Sequence, residues 1–309
     1  MTPTAPAGPP PTVVAGVDVG GTNMVAALAT PDGQILAEHA EPTAPGDQLA
    51  AQIAAVLSQL RDRLADPPLA ALAVGVPGIP DPATGRVYEA PALPALAKLN
   101  LADALAERIG VVPAMANDVD MAALAEGAFG GHGDAAADLA VIALGTGIGL
   151  GLVTGGQLVT GHRGGAGEIA LLPVAGDPFA SASWTHGPLE SVVRSAALVA
   201  AYHAGGGNGA AGVPEIFAAA RRGERAACQA VDTYARGVAL AVLAVRAVAD
   251  PALFVLTGGI GAAPGLREAI QRWLNRTGGP PIHLTVSRLG ARAPLLGAVA
   301  AAMRLPTNV

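Results

Sequence analysis

The sequence predicts an α/β protein of two similar domains, and three observations carry that expectation. A strand, glycine turn, strand, turn, strand unit occurs twice, first from Val13 and again from Leu139, which reads as duplication of one supersecondary unit. Short apolar runs of strand type alternate with helical stretches, the pattern of layered α/β folds with substantial parallel pairing. The chain has 309 residues, more than a single core comfortably serves.

The first copy enters through Val13-Val14-Ala15-Gly16-Val17 and turns at Asp18-Val19-Gly20-Gly21-Thr22. It returns along the apolar run Val25 to Thr30, turns at Pro31-Asp32-Gly33 and resumes at Gln34-Ile35-Leu36. Gln48 to Leu64 is helical, because Leu49, Ile53, Val56, Leu57 and Leu60 form one stripe. Leu72 to Val76 reads as a buried strand ending in the turn Pro77-Gly78, and Ala102 to Ile109 as a helix. Val111-Val112 with Pro113 to Ala116 is a strand running into Asn117-Asp118, where Ala122, Ala123 and Leu124 start a helix.

The second copy runs through Leu139 to Ile142, Leu144-Gly145-Thr146-Gly147-Ile148-Gly149, Leu150 to Val153, Thr154-Gly155-Gly156 and Gln157-Leu158-Val159. Glu190 to Ala204 and Arg225 to Val248 are long helical patterns. Leu253 to Leu256 is a short strand closed by Thr257-Gly258-Gly259, Ile282 to Val286 another, and Pro294 to Met303 a last helix. The expected division is a Pro-rich disordered tail over 1–12, an N-terminal domain over 13–116, a C-terminal domain over 117–292, and a terminal helix within 293–305 that crosses back to the first domain.

Composition narrows the function classes. Hydrophobic residues make up 51% and charged ones 14%, which excludes a disordered chain. Aromatics at 3% leave few stacking platforms for single strands, and the formal charge of -6 with no dense Lys/Arg run argues against nucleic acid. The single cysteine, Cys228, makes no internal disulfide and no cysteine zinc site, as expected in a reducing cytoplasm. The most apolar stretch, Val238 to Val245, is bounded by Arg246 and Asp250, well short of the roughly 20 residues of a membrane span. No membrane partner is expected.

The two glycine turns carry the chemistry. A short glycine-rich turn points several N–H groups at one anion with no Cβ in the way. Gly20, Gly21 and Thr22 in the first turn, and Gly145, Thr146 and Gly147 in the second, are therefore candidate phosphate contacts. Each alone reads more readily as hairpin punctuation, whereas the pair suggests a nucleotide held between two halves. Asp18 adds a carboxylate able to hold Mg²⁺ or its water shell. Asp118, at a strand-to-helix junction, reads either as a helix cap or as a base that takes a proton from a hydroxyl attacking a γ-phosphoryl group. Asp120 is a rival acid pointing elsewhere on the helix. Glu168, after a glycine segment, is either a hydrogen-bond acceptor for sugar hydroxyls or a solvated loop residue. Glu190 is either a ligand or a favourable first-turn acid.

These motifs resemble the ROK family (repressors, uncharacterised reading frames and sugar kinases) of the actin-like ATPase superfamily, from about Val14 to Ala302. The resemblance rests on Asp18-Val19-Gly20-Gly21-Thr22, Gly75-Val76-Pro77-Gly78, Asn117-Asp118 with Ala122 to Glu126, Leu144 to Gly149, Ala166-Gly167-Glu168-Ile169 and Thr257-Gly258-Gly259-Ile260. It implies two actin-like (ribonuclease H-like) domains with a nucleotide and sugar cleft between them, and an ATP-dependent, Mg²⁺-assisted sugar kinase, often a homodimer. Asp118 would deprotonate the sugar's 6-hydroxyl, Asn117 and Glu168 would bind ring hydroxyls, and Gly78 would line the sugar. Glu190 matches the acid closing the family's cysteine cluster. Gly258 and Gly259 would lie against adenosine. Asn23 adjoins the first turn at a position where the family often has Lys.

The departures bear on substrate. Where the family follows Glu-Ile with Gly-His, whose His binds a structural zinc and the sugar, this chain has Ala170 and Leu171, and Asp177 to Gly187 replaces the cysteine cluster. No zinc is expected. Ala92 stands where Asn is common, and His186 or Trp184 is a candidate to fill the gap. A glucose-like hexose is the default substrate, with an amino or otherwise modified sugar as the alternative. A further alternative is a non-catalytic sugar sensor or repressor, but repressors of the family carry a helix-turn-helix before the first glycine turn, for which Met1 to Thr12 is too short.

Overall fold

The computed structural model describes residues 12–90, 93–174 and 177–306. The expected tail over 1–12, apart from Thr12, and Ala92 lie outside the described residues. Two compact units emerge, one comprising residues 1–128, 161–164 and 292–309, the other 129–160 and 165–291.

In the first unit, β1 (Val13–Val19), β2 (Asn23–Ala29), β3 (Ile35–Pro42), β4 (Leu69–Val76) and, after the two-residue strands β5 (Ile79–Pro80) and β6 (Val87–Tyr88), β7 (Ala114–Asn117) build one five-stranded sheet. Its order is β3-β2-β1-β4-β7, with β1 antiparallel to β2 and parallel to β4, and β4 parallel to β7. Side chains of β1 alternate between faces. Val13, Ala15, Val17 and Val19 join the core under α1 (Leu49–Asp62) and α2 (Leu101–Ile109), together with Leu49, Ile53, Leu57 and Leu105. The opposite face carries Gly16, where a Cβ would stand 2.6 Å from the backbone nitrogen of Val299 in α10 (Ala293–Met303). The missing side chain lets that last helix lie directly on the strand.

Helix α3 (Asp118–Phe129) is buried from Asp120 through Glu126, as an alanine-rich helix covered on all sides must be. It packs against α10 at Gly297, where any Cβ would collide with the carbonyl of Met121. That approach keeps α3 in the first unit, so the boundary falls after Ala128 rather than at Ala116, where sequence alone suggested it.

The second unit repeats the plan. β8 (Leu139–Leu144), β9 (Ile148–Thr154), β10 (Gln157–Leu158), β11 (Leu253–Thr257) and β12 (Leu284–Val286) form a sheet in the order β10-β9-β8-β11-β12. Again the central strand is antiparallel to its successor and parallel to the later strand beside it. The duplication read from the sequence is thus a duplication of sheet topology. Helices α4 (Glu190–Val193), α5 (Ser195–Ala204), α6 (Val213–Arg221), α7 (Arg225–Ala249), α8 (Gly258–Gly261) and α9 (Leu266–Leu274) complete it, with Tyr234, Val238 and Val242 of α7 in a core shared with Phe254 and Leu256. Glu190 to Ala204 is two helices rather than one, because Arg194 is extended (ψ 160°) and the N–H of Ser195 donates to the carbonyl of Gly145, 3.2 Å away. Val111 and Val112 lie before β7, not in it. Among the described residues no helix is long and apolar enough to cross a membrane.

Candidate functional site

In open α/β sheets, ligands gather beyond the carboxyl ends of parallel strands. In the first unit three such ends lie side by side: β1 runs into Gly20, β4 into Pro77-Gly78 and β7 into Asp118, with Asp18 paired to Gly75 and Val76 to Asn117. Period-2 alternation puts Asp18 on the face of Gly16, the face that α10 covers.

The two aspartates are close enough to repel each other. Burial pushes the Asp18 carboxyl up to about 7, and the Asp118 charge pushes the same way. The Asp118 carboxyl is also raised by burial, partly offset by hydrogen bonds from the backbone N–H groups of Val119 and of Asp118 itself; the Val119 N–H lies 2.9 Å from Oδ1. Asp118 therefore sits where helix α3 offers its positive end but little water. Asp120, by contrast, is buried within the helix packing.

Each glycine turn closes on itself by its first glycine. Gly20 N–H donates to the Asn23 carbonyl at 2.9 Å, and Gly145 N–H to the Gly147 carbonyl at 3.0 Å. Those two N–H groups are spent inside their turns, which corrects their reading as anion donors. Gly21, Thr22, Thr146 and Gly147 remain with N–H groups that make no hydrogen bond among the described residues. The first turn is pinned by Thr43, whose hydroxyl donates to the Gly20 carbonyl (2.7 Å) and whose N–H donates to the Thr22 carbonyl (3.0 Å). Nothing local in the sequence marks Thr43 for this task. Asn23 donates to the Thr22 hydroxyl at 3.3 Å.

Asn117 is a scaffold residue in its own unit. Its Nδ2 donates to the Gly78 carbonyl (3.0 Å), and its Oδ1 accepts the Val119 N–H (2.8 Å). Gly78 has φ 131°, and a Cβ there would stand 2.6 Å from the Tyr88 carbonyl; only glycine lets β4 turn so tightly against β6. Asn117 thus links the Gly78 turn to the start of α3, beside Asp118.

In the second unit Gly258 (φ 82°) lies against the backbone of Leu144, bringing Gly258-Gly259 to the edge of the second glycine turn. Glu190 faces that turn as well. Its Oε2 accepts the Ile148 N–H at 3.2 Å and covers Gly147, where a Cβ would strike it. Sequence reading offered Glu190 as a ligand or a first-turn acid and did not foresee this contact. His186 Nδ1 lies 3.8 Å from Glu190 Oε1. Glu168 is exposed, and Leu171 is 59% exposed. Among the described residues no group of three or more His, Cys, Asp or Glu is placed to hold a metal ion.

A Mg²⁺ ion carrying most of its own waters needs only one or two carboxylates besides substrate phosphates. Asp18 meets that requirement: it accepts no hydrogen bond and forms no ion pair among the described residues, so its charge lacks a partner.

The chain is similar to known sugar kinases. The glucokinase of Thermotoga maritima is 30% identical over 307 residues, covering 92% of this chain and 95% of that protein. The N-acetylmannosamine kinase of Escherichia fergusonii is 31% identical over 292 residues, 91% of this chain and 95% of its own. The crystal structure of a ROK family glucokinase from Streptomyces griseus in complex with glucose and AMPPNP superposes with a TM-score of 0.72 at 26% identity, covering 95% of this chain and 100% of that one. The sequence profile of the ROK family matches residues 14–304. With its duplicated sheets, paired glycine turns and strand-end aspartates, this chain belongs to the ROK family.

Proposed function

We propose that this chain, an ATP-dependent carbohydrate kinase, transfers the γ-phosphoryl group of ATP to the 6-hydroxyl of a glucose-like hexose. The observation that carries this reading is Asp118: a desolvated carboxylate with a raised pKa, fixed at the start of α3 by the Val119 N–H and placed beside Asp18 and the first glycine turn. A carboxylate poised in this way accepts the hydroxyl proton as the oxygen attacks, which contributes roughly 10² to 10⁴ in rate. The remainder comes from positioning and charge neutralisation.

In this reading the N–H groups of Gly21 and Thr22, and those of Thr146 and Gly147, are the donors for the phosphate oxygens of the nucleotide. Gly258 and Gly259 leave room for adenosine. Mg²⁺ neutralises phosphate charge when bound, and Asp18 holds it, through water. Gly78 and Asn117 shape the sugar side, and Glu168 accepts hydrogen bonds from ring hydroxyls. Glu190 steadies the second turn while its free face stays near the sugar. The proposed working form is a cytoplasmic homodimer without zinc.

Initial rates with ATP and Mg²⁺ across a panel of hexoses and amino sugars test the assignment. Glucose or a close stereoisomer is expected to have the highest kcat/KM, with the product carrying phosphate on O6. Phosphate at another position would sink the assignment. One observation favours a second reading: Leu171 presents an exposed apolar side chain where the family's pattern has the sugar-binding His of its Gly-His pair. A hydroxyl left unpaired costs about 1 to 3 kcal/mol, so an amino or N-acylated hexose that sets an apolar group there would outcompete glucose in the same panel.

A further inference from the structure

The second glycine turn has a neighbour that sequence reading passed over. Arg194 stands at the break between α4 and α5. The next residue, Ser195, donates its N–H to the Gly145 carbonyl at 3.2 Å, so α5 starts on the turn itself. The Nε–H of Arg194 is buried without an acceptor, and the guanidinium forms no ion pair among the described residues. One helical turn earlier stands Glu190, an acid that a helical arginine would ordinarily meet. The two do not pair, because Glu190 is committed to the Ile148 N–H and faces His186.

A guanidinium Nε–H buried without an acceptor among the described residues is costly. In a chain with six more acidic than basic residues by formal charge, an arginine with no ion pair among the described residues, one position before the N–H that docks on the Gly145 carbonyl, calls for an explanation. The turn offers the N–H groups of Thr146 and Gly147, and Glu190 adds a negative charge there that would repel phosphate. An arginine next to the residue docked on that turn can offset the repulsion and supply planar, charge-assisted donors suited to phosphate oxygens.

We infer that Arg194 binds the phosphate chain of the donor at the Gly145–Gly147 turn and sets the enzyme's affinity for it. The inference rests on the donor reading of that turn. The ligand chemistry is a condensed phosphate, which either a nucleoside triphosphate or inorganic polyphosphate supplies.

Calorimetric titration of wild type, Arg194→Met and Arg194→Lys with Mg·ATP and with Mg·tripolyphosphate tests this without requiring turnover. Arg194→Met is expected to weaken both ligands by about ten- to a hundredfold, with Arg194→Lys recovering part of the loss and the melting temperature near that of wild type. Parallel rate measurements should show the donor KM rising while the sugar KM holds. Equal binding by wild type and Arg194→Met would overturn the inference. So would a loss confined to ATP, which would point to ribose or base, or failure of wild type to bind either ligand. A wild type that binds both donors yet phosphorylates no sugar would leave the arginine in place and sink the kinase reading instead.

Discussion

Asp18 and Asp118 occupy one strand-end ledge, and their mutual repulsion has a measurable sign. Asp18 ionises near pH 7 in the metal-free protein, so protons compete with Mg²⁺ for it. The Mg²⁺ concentration needed for half-maximal rate is expected to rise as pH falls from 8 to 6, by up to about tenfold per unit below the pKa. A requirement that stays flat over that interval would contradict the placement of the metal at Asp18. Stability follows the same linkage. The folded value exceeds the ordinary 3.8, so the contribution of this group is fully present below that value and is lost as pH rises through about 7. Mg·ATP is accordingly expected to raise the melting temperature more at pH 8 than at pH 5, as measured by differential scanning fluorimetry.

Among the elements, α3 and α10 do most to place the proposed base. Gly297 lets α10 touch the backbone of Met121, three residues into the helix that Asp118 begins. Gly297→Ala forces the two helices apart, at a cost of about 1 to 3 kcal/mol for overpacking. The expected outcome is a lower denaturant midpoint together with reduced kcat, since Asp118 moves with α3. An unchanged midpoint would mean that the contact is dispensable. The same elements separate what sequence can reveal from what it cannot. The stripe Leu49, Ile53, Val56, Leu57 and Leu60 gave α1 through its period, and the turns after Val19 and Leu144 were visible because their glycines interrupt two apolar runs. The break at Arg194 was hidden, since no glycine or proline marks it and its cause is the distant Gly145 carbonyl. Glu190's contact with Ile148 and Thr43's grip on Gly20 were hidden for the same reason. The allegiance of α3 was set by Gly297, far along the chain.

At the scale of the whole molecule, each unit has its own hydrophobic cluster built from Val, Leu, Ile and Ala around one five-stranded sheet. In the first unit alanine and valine suffice because the close approach of α10 to β1 at Gly16 and to α3 at Gly297 replaces the bulk that aromatics supply elsewhere. On the proposed reading the chain needs no zinc cluster of the kind that the family's cysteines provide. Metal analysis of the purified protein is expected to find zinc far below one ion per chain, and one tightly held zinc would refute that. The role of Asp118 is tested most directly by the steady-state kinetics of Asp118→Asn, which keeps the side-chain shape and removes the base. The expected result is a kcat lower by about 10² to 10⁴ with ATP affinity and melting temperature nearly unchanged. A near-normal kcat would contradict it.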